Sequence, residues 1–346
     1  MTRPLKGFFI GAGFFSRNHL HAWADVKGAE ITAICDLDPA RAERAAAAFG
    51  IPAWHTDANA LRSGAFDFVD ICTTMDTHEA LVALAVSAGV PVIVQKPFAA
   101  DLATCLRIEA QARAAGVPVM LHENFRFQKI FRRLRQILTS GEIGDVTFAR
   151  LCWRNDIDVY ANQPYLLTTE RLMIMDVGIH LLDLARFLVG DAHSVACTTQ
   201  SVRPGLVGED AATITLRHDN AAVTVVDVSY ATHRNPSTFP QTLGEVEGRL
   251  GTVQILEGEV LRIHSAAGQR DEVIVADARP WTSVPWRQTQ DSVAHTQQHF
   301  VDALRSGAPF ETSARDSLQT YALAEAAYQS AASGRVVSIA SLLGGA

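Results

Sequence analysis

The sequence predicts an α/β protein of two domains: a doubly wound parallel sheet over residues 1–123, then an α+β domain with an open, mostly antiparallel sheet over 124–346. Three observations carry this. Up to about His122, short β-branched or apolar runs alternate with longer helical patterns, the rhythm of strands joined by crossover helices. After about Asn124 the rhythm becomes a helix, a strand, an irregular stretch, a second helix and several extended segments joined by short turns. A chain of 346 residues also suits two domains better than one, at roughly 100–200 residues for each core.

In the first half, strands are expected at 6–10, 30–35, 67–71, 91–94 and 117–121, with a weaker one near 53–55. A helix is expected over 39–49, where Asp38 can cap, Pro39 suits the first turn and Gly50 can end it. In the second half a helix (128–140), a strand (145–153) and a helix (173–189) precede extended segments at 194–203, 211–218, 221–229 and 253–264. Asp219-Asn220 and Glu257-Gly258 read as turns between them, and helices at 291–306 and 314–333 close the chain.

Composition narrows the function. With 48% apolar and 19% charged residues the chain is an ordinary globular protein, and its formal charge of −7 argues against nucleic acid or an anionic membrane as the main partner. No apolar run approaches the ~18 residues of a membrane span, and Met1-Thr2-Arg3 leads straight into a strand, so an unexported, cytoplasmic protein is expected. Five scattered cysteines without a C-x-x-C pair read as free thiols. His295 and His299 have metal-ligand spacing, but Gln297 and Gln298 intervene and no third ligand is evident, so a packed or exposed helix and no metal are expected.

Directly after the first strand, Gly11-Ala12-Gly13-Phe14-Phe15-Ser16 fits a strand-to-helix turn whose amides approach a pyrophosphate. Ser16 stands where a third glycine is usual, and a G-x-G alone also fits a plain turn. The second strand ends at Asp36, where a carboxylate would accept from ribose hydroxyls and repel a 2′-phosphate. Leu37 adds no positive charge, so NAD is expected over NADP; the alternative is that Asp36 caps the next helix, for which Asp38 is better placed. Lys96 ends a strand at the edge where parallel sheets bind ligands, or else is a solvated charge. Asp176 and His180 lie four residues apart on a helix and share a face with Asp183. Such a pair can be purely structural, but the apolar neighbours Met173, Ile174, Met175, Val177, Ile179, Leu181 and Leu182 favour a partly dry cavity. Trp281, Pro285 and Trp286 read as either a covering loop or core.

From Val94-Gln95-Lys96-Pro97 onward the chain resembles the Gfo/Idh/MocA family of nicotinamide-dependent dehydrogenases. The resemblance runs through the glycine turn, Thr73-Thr74, His78, Lys96-Pro97, Asn124-Phe125-Arg126-Phe127 and Asp176-Val177-Gly178-Ile179-His180. It implies a Rossmann domain with Gly11, Gly13, Phe14, Phe15, Asp36, Thr73, Thr74, His78, Gln95, Lys96 and Asn124 around NAD. It also implies a sugar or polyol held by Lys96, Asn124, Arg154, Tyr165, Asp176 and His180, although arginines of this kind equally form structural ion pairs. Lys96, Asp176 and His180 would be catalytic: imidazole suits the base, an ammonium the developing alkoxide, and a carboxylate the orientation of the sugar.

Two departures from the family stand out. Gln95 replaces the usual glutamate, and Leu172-Met173-Ile174-Met175 replaces the usual glycines before Asp176. Finer similarity, at Asn18-His19-Leu20-His21-Ala22-Trp23, Val94–Phe98, His122–Arg126 and Gln163-Pro164-Tyr165, is to the family's D-apiose-oxidising branch. It implies oxidation of a carbohydrate hydroxyl, with D-apiose going to its lactone as the leading case. Inositol or another aldose is the alternative substrate; a non-catalytic NAD-sensing regulator and an NAD-dependent glycosidase are the other roles. A homodimer or homotetramer built through the C-terminal sheet is expected.

Overall fold

In a computed structural model the chain is described over residues 3–344; the first and last two residues, at the outer limits of the expected domains, lie outside the described residues. The first sheet contains β1 (Leu5–Ile10), β2 (Ala29–Cys35), β3 (Ala53–His55), β4 (Phe68–Ile71), β5 (Val92–Gln95) and β6 (Val119–His122). All pair in parallel, in the order β3-β2-β1-β4-β5-β6. The crossovers carry α1 (Ser16–Asp25), α2 (Pro39–Phe49), α3 (Ala60–Ser63), α4 (His78–Ser87) and α5 (Leu102–Ala115). Asp38 caps α2 as expected, accepting from the amides of Ala40 and Arg41, and Gly50 ends it at a φ of 65°.

The second sheet follows α6 (Lys129–Thr139) and begins with β7 (Val146–Arg154). After α7 (Ile179–Val189) come β8 (Ala192–Gln200), β9 (Ala211–His218), β10 (Val223–Ser229), β11 (Leu243–Gly248), β12 (Gly251–Leu256), β13 (Val260–Ser265) and β14 (Gly268–Val273). Helices α8 (Arg287–Ser306) and α9 (Ala314–Ser333), the short β15 (Val337–Ser338) and α10 (Ala340–Leu343) complete the chain. The order is β14-β13-β12-β11-β7-β10-β9-β8-β15, antiparallel except for the β7–β10 pair.

Two differences from the sequence reading have physical causes. Strands β11 and β14 carry little apolar alternation: β11 is Leu-Gly-Glu-Val-Glu-Gly and β14 is Gly-Gln-Arg-Asp-Glu-Val. The exposed edge strand β14 is held by ion pairs, Arg262 to Asp271 across the ladder and Arg133 to Glu272, and charge on an edge also discourages pairing with another chain. The expected helix at 173–189 opens instead as a π-helical turn, Ile174–Gly178, before α7 begins.

The chain divides into two compact units. One comprises the residues up to Phe127 with Ala278–Ser283 and Thr289–Leu318; the other comprises Gln128–Asp277, Val284–Gln288 and the residues from Gln319 on. In the first unit, Phe300 and Phe310 join a core begun by Phe9, Trp23 and Phe68. The Phe300 ring packs edge-on to Phe68 (5.5 Å between centroids, 66°) and stacks on Phe310 (5.1 Å, 25°). The segment before α9 covers the edge strand β6, with the Leu121 amide donating to Thr312 O (2.8 Å) and Thr312 Oγ1 donating to Leu121 O (2.7 Å). Among the described residues no helix is long and apolar enough to cross a membrane, and all five cysteines are free thiols.

Because Phe300 is fully buried, Phe300→Ala should destabilise the protein by about 3–5 kcal/mol. Thermal unfolding should then begin several degrees lower, and an unchanged Tm would contradict the placement of Phe300 in this core.

Candidate active site

Strands β1 and β4 are neighbours, with β2 and β3 built outward from one and β5 and β6 from the other. A crevice therefore opens beyond their carboxyl ends, the usual ligand position in such sheets. The glycine turn lies there. Gly11 has a φ of +104°, and a Cβ on it would stand 2.3 Å from Cys72 O at the end of β4, so only glycine fits. A Cβ at Gly13 would meet nothing within 4 Å, which leaves room beside the turn for a phosphate. Ser16 Oγ accepts from the Gly13 amide (3.1 Å) and donates to Cys72 O (3.4 Å), so the serine ties the turn to β4. No side chain caps α1, whose first amides remain available to an anion. Phe14 is exposed and Phe15 packs edge-on to His19. These features fit a dinucleotide pyrophosphate.

Asp36 has a structural task that its sequence position did not disclose. One carboxylate oxygen accepts from the Ala12 amide (2.7 Å), fixing the glycine turn to the end of β2, and the other accepts from the Asp38 amide (2.9 Å). A carboxylate has about four lone-pair sites, so capacity remains for ribose hydroxyls. Thr74 is exposed at the crevice, while Thr73 Oγ1 accepts from Thr77 Oγ1 (2.7 Å). His78 is buried, with Nδ1 2.9 Å from Pro97 O and Nε2 3.3 Å from Thr73 O. Burial pushes its pKa down, and the ring lies between the loop after β4 and the loop after β5, where its neutral form donates to the carbonyl of one of them.

That second loop begins at Lys96, which directly follows β5 and precedes a cis bond to Pro97. Gln95 Oε1 accepts from the Lys96 amide (2.7 Å), and Gln95 Nε2 lies 3.0 Å from His19 Nε2. His19 Nδ1 is 2.9 Å from Asp70 Oδ2, which also accepts from the Trp23 indole N–H (2.6 Å). Asp70, His19, Trp23 and Gln95 are all buried. Sequence reasoning placed Gln95 beside NAD and marked it as a departure, and it gave Asp70 no part.

In the second unit, Asp176 lies in the π turn and His180 one turn later, buried at the start of α7. The turn is fastened by Glu209, whose carboxylate accepts from the amides of Leu172 (3.3 Å) and Ile174 (3.0 Å) and from the Tyr328 hydroxyl (2.7 Å). Asp176 is oriented by Tyr230, whose hydroxyl donates to Oδ2 at 2.5 Å. Burial, then the Asp176 charge, pushes the Tyr230 phenol well above its usual range and keeps it a donor. Partial burial and the same carboxylate raise Tyr165 as well. Neither Glu209 nor Tyr230 was found from the sequence, since each joins the site across a long stretch of chain.

Other candidates are engaged locally. The Asn124 amide donates to Ser292 Oγ (2.7 Å) in the first unit, and in the second Arg154 pairs with Asp227 and donates to Thr232 Oγ1 (3.0 Å). Tyr165 is largely exposed and donates to Gln163 Oε1 (2.8 Å), and Asp183 accepts from Thr320. Trp281 stacks on His21 and donates to Asp25, whereas Trp286 packs on Phe239 in the other unit. His299 Nε2 accepts from the Glu311 amide (3.0 Å).

A family model described as an oxidoreductase family with an NAD-binding Rossmann fold matches residues 5–123, and the corresponding Gfo/Idh/MocA C-terminal domain matches residues 131–254. The chain is 47% identical to the D-apiose dehydrogenase of Paraburkholderia graminis, over 99% of this chain and 91% of that protein. It is 46% identical to the D-apiose dehydrogenase of Rhizobium rhizogenes, over 98% and 99%. Among solved structures, an oxidoreductase from Agrobacterium radiobacter in complex with NAD+, L-tartaric acid and magnesium is 45% identical, with a TM-score of 0.96 over 98% of this chain and 99% of that one.

Tyr230→Phe removes the hydrogen bond that orients Asp176, an interaction with a charged acceptor that is worth roughly 1.5–3 kcal/mol. Catalytic efficiency toward the carbinol substrate should fall about tenfold or more while the Kd for NADH, read by nucleotide fluorescence, stays unchanged. Loss of NADH binding instead would contradict this assignment.

Proposed function

The chain belongs to the Gfo/Idh/MocA family of oxidoreductases with an NAD-binding Rossmann fold, and on that premise we propose that it oxidises D-apiose at its anomeric carbon to the lactone. The observation that carries the proposal is the Asp176–His180 pair: a half-buried carboxylate held by Tyr230 one turn before a buried imidazole, amid apolar side chains. Such a pair suits a polyhydroxylated substrate, with an acceptor for one hydroxyl beside a base for another. Identity of 46–47% over nearly the whole chain to two D-apiose dehydrogenases supports the choice of sugar.

Hydride can leave the anomeric carbon only as its hydroxyl proton is removed. His180 takes that proton, and Lys96 donates to the same oxygen as negative charge grows on it. Asp176 accepts from a neighbouring hydroxyl and fixes the ring. NAD, when bound, accepts the hydride. The glycine turn, the first amides of α1, Asp36 and Thr74 would hold it, and Asp36 would disfavour a 2′-phosphate.

On the same grounds, residues 1–123, joined by Ala278–Ser283 and Thr289–Leu318, form the cofactor domain, and the rest of 124–346 the substrate and oligomerisation domain of a cytoplasmic homodimer or homotetramer. Support for assembly comes from the outward face of the second sheet, where Phe148, Cys152, Val223 and Val225 are only partly covered. Free thiols suit a reducing compartment.

NADH formation followed by absorbance against D-apiose, other aldoses, inositols and sugar lactones tests the substrate. D-apiose should have the highest kcat/KM, with NAD preferred to NADP and that preference narrowed in Asp36→Ala. Activity confined to inositols would contradict the proposal. Lys96→Met and His180→Ala should each lower kcat by at least ~100-fold with NADH binding nearly intact, and the double variant should be little worse than either. Near-normal turnover of His180→Ala would remove it as the base.

A further inference from the structure

We propose that Trp23, Asp70, His19 and Gln95 form a buried relay that holds His19 as the neutral Nδ1–H tautomer and positions Lys96 through its backbone amide. The positioning claim rests on the proposed role of Lys96; the tautomer does not.

The direction of every bond follows from the two ends. The Trp23 indole N–H and the Lys96 backbone N–H can only donate. At one end Trp23 donates to Asp70 Oδ2 (2.6 Å), and at the other Lys96 donates to Gln95 Oε1 (2.7 Å). The second bond fixes the Gln95 amide, because turning it over would face its NH2 against the Lys96 N–H. Gln95 Nε2, 3.0 Å from His19 Nε2, is therefore the donor, and His19 Nε2 must accept. The ring proton is thereby left on Nδ1, where it is donated to Asp70 (2.9 Å). One carboxylate, one neutral imidazole and one amide make every bond of the chain, and among the described residues only Asp70 Oδ1 of these groups is left without a hydrogen-bond partner.

A glutamate at position 95, as is usual in the family, would offer acceptors to both neighbours. The relay would then need one more proton, on His19 Nε2 or on the carboxyl itself. Gln95 thus lets the buried chain beside Lys96 close without that extra proton. The groups facing His19 are Asp70 of β4, with Trp23 of its own helix on the same carboxylate oxygen, Gln95 at the end of β5, which bonds on to the Lys96 amide, and His122 of β6, whose ring centroid is 4.1 Å away. Phe9 and Phe15 close the remaining sides, and the Gln297 amide of α8 donates to His19 O.

The test uses the full-length protein. Side-chain 15N NMR of His19 in the wild type should show a protonated Nδ1 and a bare Nε2 across the neutral range. In Gln95→Glu, Nε2 should carry a proton that is lost as pH rises, and kcat should fall at least tenfold over the same interval. In Gln95→Leu, kcat should fall about tenfold, the size of one lost hydrogen bond, at every pH and with KM for NAD little changed. In a Lys96→Met background neither substitution should lower kcat further. A wild-type His19 protonated on Nε2, or a folded Gln95→Glu protein with no added pH dependence, overturns the relay. If neither variant folds, the wild-type spectrum still decides it. Near-normal turnover of Lys96→Met would instead overturn the role of Lys96, and the positioning claim with it, while the 15N spectrum continues to decide the tautomer.

Discussion

The ends of β1 and β4 approach so closely that Gly11 can carry no side chain, and the nucleotide crevice follows from that approach. A turn pressed against Cys72 O has to leave β1 with a positive φ, which brings α1 in with its amino end toward the crevice. Ser16 and Asp36 then fix the turn from two sides, through Cys72 and through the Ala12 amide. Close packing therefore shapes the cradle.

The same economy governs the second unit. A carboxylate from the β8–β9 connection, Glu209, takes the amides that open the helix at Asp176, which allows a π turn there without orphaned backbone donors. Tyr230, from the end of β10, then sets the orientation of Asp176. Carboxylates brace the backbone in both places, and bracing of this kind gives a site fixed geometry.

What the sequence disclosed and what it concealed divide along the range of the contacts. Strands of the parallel sheet were legible because each is a compact apolar run, and α2 because Asp38, Pro39 and Gly50 signal locally. The glycine turn and the four-residue spacing of Asp176 and His180 were legible for the same reason. Strands β11 and β14 were not, since glycines in one and charges in the other break the alternation. Asp70, Glu209 and Tyr230 were missed because their partners lie far along the chain: Asp70 meets His19, and Tyr230 meets Asp176. Asn124 and Arg154 showed the opposite ambiguity, being polar residues near the motifs whose side chains bond to Ser292 and Asp227.

The most direct measurement of the central claim is the fate of a label. D-apiose carrying deuterium on its anomeric carbon should give NADH that contains the deuterium, with a primary isotope effect on single-turnover hydride transfer and a lactone free of label. NADH formed without deuterium would contradict oxidation at that carbon.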